Sequence, residues 1–145
     1  MESTFNEYLV DEYLRLAEYE QSTEADYRAA ENYMDKVARI ERGRIARIDN
    51  LENFTLSDWQ VKEFKQAQDE LVNALKNFRL AENRKRLAVA HSRYDCWLDQ
   101  AEENNKKQNC KKEFKRAMNN LLHPLGNEEF IESEEEFFGL NAPVK

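Results

Sequence analysis

Over its first 120 residues this chain carries one strong helix breaker, Gly43. The other glycines, Gly126 and Gly139, and both prolines, Pro124 and Pro143, lie near the C-terminus. A sheet protein needs a turn every several residues, and no such punctuation occurs here. The chain is therefore restricted to long helices joined by polar links. Its 145 residues fit one domain. A chain of that size buries roughly 70% of its unfolded surface, enough for a core. Charged residues make up 35%, which suits a thin bundle with much solvated face. No apolar run approaches the roughly 20 residues of a membrane span. The reading is all-α: an antiparallel bundle of four or five helices over 1–126, then an acidic tail or linker over 127–145.

Local signals mark the helices. Thr4-x-x-Glu7 is a capping box that opens a helix over 4–20. Tyr8, Leu9, Tyr13, Leu16 and Ala17 give it one apolar face. Ser22 or Thr23 caps the next helix, with Glu24 and Asp26 at the favourable end of its dipole. Ala30, Tyr33, Met34, Val37, Ile40 and Ile45 carry that helix towards Ile48. Arg39, Arg42, Arg44 and Arg47 load its C-terminal end, while Gly43 offers an earlier stop. Residues 49–56 read as a loop. Ser57-x-x-Gln60 repeats the capping box and starts a stripe of Val61, Phe64, Ala67, Leu71, Leu75 and Phe78. A second stripe, Leu87, Ala90, Tyr94, Trp97 and Ala101, is out of phase with it, so a break is expected across Leu80–Arg86. A last helix, 109–122, carries Cys110, Phe114, Ala117, Met118, Leu121 and Leu122, and His123-Pro124-Leu125-Gly126 ends it.

Glu102 to Asn109 reads EENNKKQN, a polar run that suggests a turn. Cys96 and Cys110 lie about equally far from its early part. On one continuous helix they would stand about 21 Å apart. A disulfide needs Cα atoms within about 7 Å, and an antiparallel hairpin brings the pair level. Two readings carry equal weight on this geometry. One is a structural disulfide of an oxidising compartment. The other is two buried cytosolic thiols acting as small hydrophobes. The spacing is not the C-x-x-C of metal or redox sites.

The stretch Tyr94-Asp95-Cys96-Trp97, with Asp99-Gln100, Glu102-Glu103-Asn104, Cys110 and Phe114, resembles the N-terminal helical region of alphaproteobacterial OmpA-family envelope proteins. In that family the region precedes a peptidoglycan-binding OmpA-like domain. Tyr13 to Glu20, Asp26-Tyr27-Arg28-Ala29-Ala30-Glu31 and Leu56-Ser57-Asp58-Trp59 resemble further elements of the same region, in family order. The resemblance implies a Cys96–Cys110 disulfide that clamps the short last helix onto the long one. Trp97 would pack beside the clamp, and Tyr94 and Phe114 would meet across the hairpin. It also implies a non-catalytic module of the periplasm or outer-membrane envelope, a spacer or docking domain. Its partner would be another envelope protein or the rest of its own longer chain. No OmpA-like domain follows in this sequence, and Met1-Glu2-Ser3-Thr4 is no signal peptide. The chain is then a trimmed piece of an exported protein or a cytosolic relative.

Catalytic signals are poor. No Glu-x-x-His pair, P-loop, G-x-S-x-G or dinucleotide fingerprint occurs. His91 and Asp95 stand four apart and read as a solvated or hydrogen-bonded pair rather than a metal site. No enzyme activity, metal or cofactor is expected. A net charge of -7 opposes nucleic-acid binding. The basic clusters at Arg39–Arg47 and at Arg84, Lys85, Arg86 and Arg93 read as solvated faces. The tail interleaves glutamates with Phe130, Ile131, Phe137 and Phe138, and reads as a linker or as a motif that docks on a partner groove. The function from a different class is an acidic cytosolic inhibitor or adaptor, for example a phage-type nucleic-acid mimic. It would carry an acidic stripe and reduced cysteines.

Overall fold

The computed structural model describes residues 4–23, 26–77, 81–103 and 109–123. Five α-helices follow one another: α1 (Phe5–Ser22), α2 (Tyr27–Glu41), α3 (Asp58–Asn77), α4 (Arg84–Glu102) and α5 (Asn109–Leu122). No strand occurs among the described residues. None of these helices is long and apolar enough to cross a membrane. The acidic tail, with Phe130, Ile131, Phe137 and Phe138, lies outside the described residues, as do Phe78 and most of the polar turn.

The helix starts follow local chemistry. Thr4 Oγ1 accepts from the Glu7 N–H at 3.1 Å, and Glu7 Oε1 accepts from the Thr4 N–H at 2.9 Å. Ser57 and Gln60 repeat the exchange ahead of α3, at 3.4 and 2.9 Å. The expected cap of α2 is corrected. Thr23 closes α1 instead, its N–H donating to Tyr19 O. Asp26 caps α2, accepting from the Ala29 N–H at 3.0 Å.

Gly43 decides where α2 ends. Its φ is 83°, a region other residues enter at a cost. The Gly43 N–H donates to Ile40 O and the Arg44 N–H to Arg39 O, the paired bonds of a Schellman turn. The longer helix to Ile48 therefore does not form. Residues 44–50 run as a strap, with Ala46 and Ile48 packed on the core and Ile45 83% exposed. Ile45 thus leaves the expected apolar stripe. Met34, at 45% exposed, also lies outside it, because Tyr33 and Val37 take the inward face. The expected break before α4 is present: α3 ends at Asn77 and a 3-10 turn, Ala81–Asn83, precedes Arg84.

Helix α4 is the centre. α1, α3 and α5 all pack on it, and α2 packs on α1. From α2, the side chains of Tyr33 and Lys36 reach across to Asp99 and Asp95 of α4. The strap and the link that follows it to α3 cover what the helices leave open. His91 Nε2 lies 3.4 Å from Arg47 O, and the Thr55 N–H donates to Glu102 Oε2 at 2.8 Å. Every residue from Arg86 to Leu98 is buried as a result. A helix buried all round can keep polar residues only if they are paired inside the protein.

Candidate functional site

Cys96 on α4 and Cys110 on α5 are joined by a disulfide, with Cα atoms 5.7 Å apart. The packing of α5 on α4 holds them level, as an antiparallel hairpin requires. Gln100 fastens the same end: its Nε2 donates to Asn109 Oδ1 at 2.6 Å, and its Oε1 accepts from the Cys110 N–H at 3.2 Å. That second bond satisfies one of the free N–H groups of α5's first turn. Tyr94 and Phe114 meet across the hairpin at 5.8 Å between ring centroids. Trp97 packs on Phe64 at 4.2 Å and on Phe114 at 5.6 Å. Such ring pairs each add about 0.5–1.5 kcal/mol beyond buried area. Lys111 adds a bond from α5 to Glu63 of α3 at 2.8 Å, its ammonium 5.7 Å from the Trp97 centroid.

The opposite face of α4 is a polar interior. Tyr13 Oη donates to Asp95 Oδ2, and Tyr33 Oη donates to Asp99 Oδ2 at 3.0 Å. Lys36 Nζ donates to Asp49 at 2.7 and 2.8 Å and lies 3.8 Å from Asp95. Burial pushes Asp95 up to about 8 and Asp99 up to about 7, against the pull of Lys36 and the tyrosines. Burial also raises both tyrosines, with the facing carboxylates adding to it. For Lys36 burial acts downward, but Asp95 and Asp49 outweigh it and hold the ammonium above its ordinary value. Lys36 alone cannot balance Asp49, Asp95 and Asp99, so a buried carboxyl that keeps its proton lessens the excess negative charge.

Arg93 builds a second cluster. Fully buried, it reaches Glu12 of α1 at 3.1 Å and Glu113 of α5 at 3.0 Å. Burial pushes Glu113 up to about 8 although Arg93 draws it down. Arg15, 3.8 Å from Glu12, and Arg116, which also draws Glu113 down, complete the surroundings of the two glutamates. The expected solvated basic face is thereby corrected: Arg86 and Arg93 are buried, while Arg84 and Lys85 are half-buried. The arginines from Arg39 to Arg47 are exposed as expected.

His91 and Asp95 are corrected too. Neither is solvated, and their nearest polar atoms are 3.9 Å apart, beyond hydrogen-bond distance. Burial pulls His91 down to about 4, so the ring is neutral near pH 7. Among the described residues no group of three or more His, Cys, Asp or Glu is placed to hold a metal ion.

Concavities open on the surface among the described residues. One, about 320 Å³, runs between α3 and α5, with Trp97, Phe114, Met118 and Leu122 in its lining. Another, about 580 Å³, lies at the end of α2, between Arg39, the strap and Tyr13. Sequence reasoning missed the interior of Tyr13, Lys36, Asp95, Asp99, Glu12, Arg93 and Glu113. Its one signal was the run of small residues Ala88, Ala90 and Ser92 among apolar ones, which fits a helix packed on every side.

Fold and site together define a helical bundle whose central helix is clamped by a disulfide. No family model matches the chain, and no curated protein or solved structure matches it either.

Proposed function

We propose that this chain is a non-catalytic helical module of an OmpA-type cell-envelope protein, a rigid spacer or docking domain in an oxidising compartment. The observation that carries the reading is the Cys96–Cys110 disulfide. Bridges of this kind persist in exported proteins and are rare where glutathione keeps thiols reduced. The residues of the resembling stretches support it as well. Tyr13 of one stretch bonds Asp95 of the other, Asp99 bonds Tyr33, and Gln100 ties Cys110. Motif positions used this way act in architecture rather than in chemistry, which fits a spacer or docking role. The partner in this reading is another envelope protein or the remainder of a longer chain.

The test is acid-quenched alkylation of the chain in fractionated cells of its source. Full oxidation of the pair, with the chain in the envelope fraction, is the expected result. Free thiols in the cytosolic fraction would overturn the reading and leave the acidic inhibitor or adaptor in its place.

A further inference from the structure

We propose that the cleft at the end of α2 binds a ligand carrying a diphosphate or a pair of phosphate groups. The inference rests on local charge and shape and is independent of the compartment. Lys36, Arg39, Arg44 and Arg47 line the cleft against a single acid, Asp49. The rest of the chain is strongly acidic, since the total is -7. Lys36 is already matched by Asp49 at 2.7 Å. Among the described residues, Arg39, Arg44 and Arg47 have no carboxylate partner. A chain with 29 acidic residues offers many, so three adjacent unmatched guanidinium groups call for a separate explanation.

The helix dipole accounts for one of them. Arg39 lies in the last turn of α2, where a cation is favoured. Arg44 and Arg47 lie beyond the helix, on a strap that the Schellman turn redirects across the bundle. The strap is fixed on both sides of Arg47. Ala46 and Ile48 pack on the core, and the Arg47 carbonyl faces His91 Nε2. The arginines thus project from an anchored backbone over a common hollow. Planar guanidinium forks pair bidentately with phosphate oxygens, and several of them suit a polyanion.

Size and lining extend the argument. About 580 Å³ is in the range of small-molecule sites and exceeds what one phosphate group fills. Ile40, Ile45 and Ala46 offer apolar wall to the remainder of the ligand. Ile45, 83% exposed in the free protein, is the side chain that such a ligand would cover. The phosphates belong either to a soluble molecule or to a lipid headgroup, and the same chemistry recognises both.

The test is calorimetric titration of the intact, oxidised chain with inorganic pyrophosphate at low ionic strength, with orthophosphate as comparison. Pyrophosphate is expected to saturate one site per chain, at least tenfold tighter than orthophosphate. The double variant Arg44→Gln/Arg47→Gln is expected to weaken it at least tenfold, with unchanged thermal melting. Lys65→Gln, on the exposed side of α3, is expected to leave binding unaltered. Sedimentation with cardiolipin vesicles, whose headgroup carries two phosphates, then separates the sources. Vesicle binding that pyrophosphate competes away assigns a lipid headgroup, and pyrophosphate binding without vesicle binding assigns a soluble ligand. The proposal is overturned by an absence of saturable pyrophosphate binding, by vesicle binding alone, or by binding that the double variant retains.

Discussion

Tyr13 on α1 donates its phenolic hydrogen bond to Asp95 on α4, across a sequence separation of 82 residues. Both side chains are buried, and Asp95 Oδ1 has no partner among the described residues. The bond therefore holds the first helix to the central one at a point where water does not replace it. Tyr13→Phe keeps the ring packing on Tyr33 and removes only the hydroxyl. The expected loss is about 1–3 kcal/mol, the cost of leaving a buried acceptor unpaired. Urea unfolding followed by circular dichroism measures it. A midpoint equal to wild type would mean that the bond contributes nothing.

The raised carboxyls make a prediction about pH. Asp95 and Glu113 titrate near 8 when folded and Asp99 near 7, while the unfolded chain loses these protons near pH 4. Folding takes up protons between those limits, so each group's contribution is full at low pH and fades as pH rises. His91 acts in the opposite sense, since its folded value of about 4 lies below the ordinary 6.5. Its contribution grows from pH 4 to 6.5 and is complete above that. Between pH 6.5 and 8 the carboxyls act alone among these groups. Stability is expected to fall across that window, with a slope of up to about 1.4 kcal/mol per pH unit for each group. Asp95→Asn should flatten part of it. Urea midpoints that stay level or rise from pH 6.5 to 8 would contradict the assignment.

Arg93 gives a third test. It lies between Glu12 and Glu113 with no exposure to solvent. Replacing a buried ion pair by packed apolar groups is often tolerated, but removing one partner strands the other. Arg93→Ala is expected to cost about 3–5 kcal/mol, because the buried Glu12 then keeps only Arg15, 3.8 Å away and half exposed, as counter-charge. Combining it with Glu12→Gln should recover part of that loss. The comparison of single and double variants by urea denaturation decides the matter, and additive losses would show that the pair is uncoupled.

Helix ends and interior differ in how far the sequence reveals them. Capping at Thr4 and Ser57 and the level cysteines depend on residues close in the chain, so local rules reach them, whereas the apolar stripe carries the reading of α2 past Gly43, which offers the stop only as an alternative. The stripe Leu87, Ala90, Tyr94, Trp97 and Ala101 likewise locates the face of α4 that meets α3 and α5. Arg93 and Asp95 are different. Their environment is made by Glu12, Tyr13, Lys36 and Glu113, which come from three other helices. A charge on a helix looks solvated in sequence unless its distant partner is known. The strap had the same difficulty, because the cover it gives His91 appears only when the end of α2 is placed beside α4.

The clamp supplies the last prediction. Cys96 and Cys110 close a short loop, with a sequence separation of 14. Cross-linking a loop of that length removes about 3 kcal/mol of chain entropy from the unfolded state. Both cysteines are buried, so Cys96→Ser also places a hydroxyl in an apolar setting beside a free thiol. The variant is expected to lose roughly 2–4 kcal/mol relative to the oxidised wild type. The effect should concentrate on α5, whose other fastenings to α4 are Gln100, Arg93–Glu113 and the aromatic cluster. Amide exchange should therefore rise first over 110–121, while α1 and α2 keep their protection. Wild type in dithiothreitol should match the variant within about 1 kcal/mol, since reduction removes the same cross-link. Overlaid urea curves for the variant and the oxidised wild type would show that the aromatic and polar contacts hold the hairpin without the bridge.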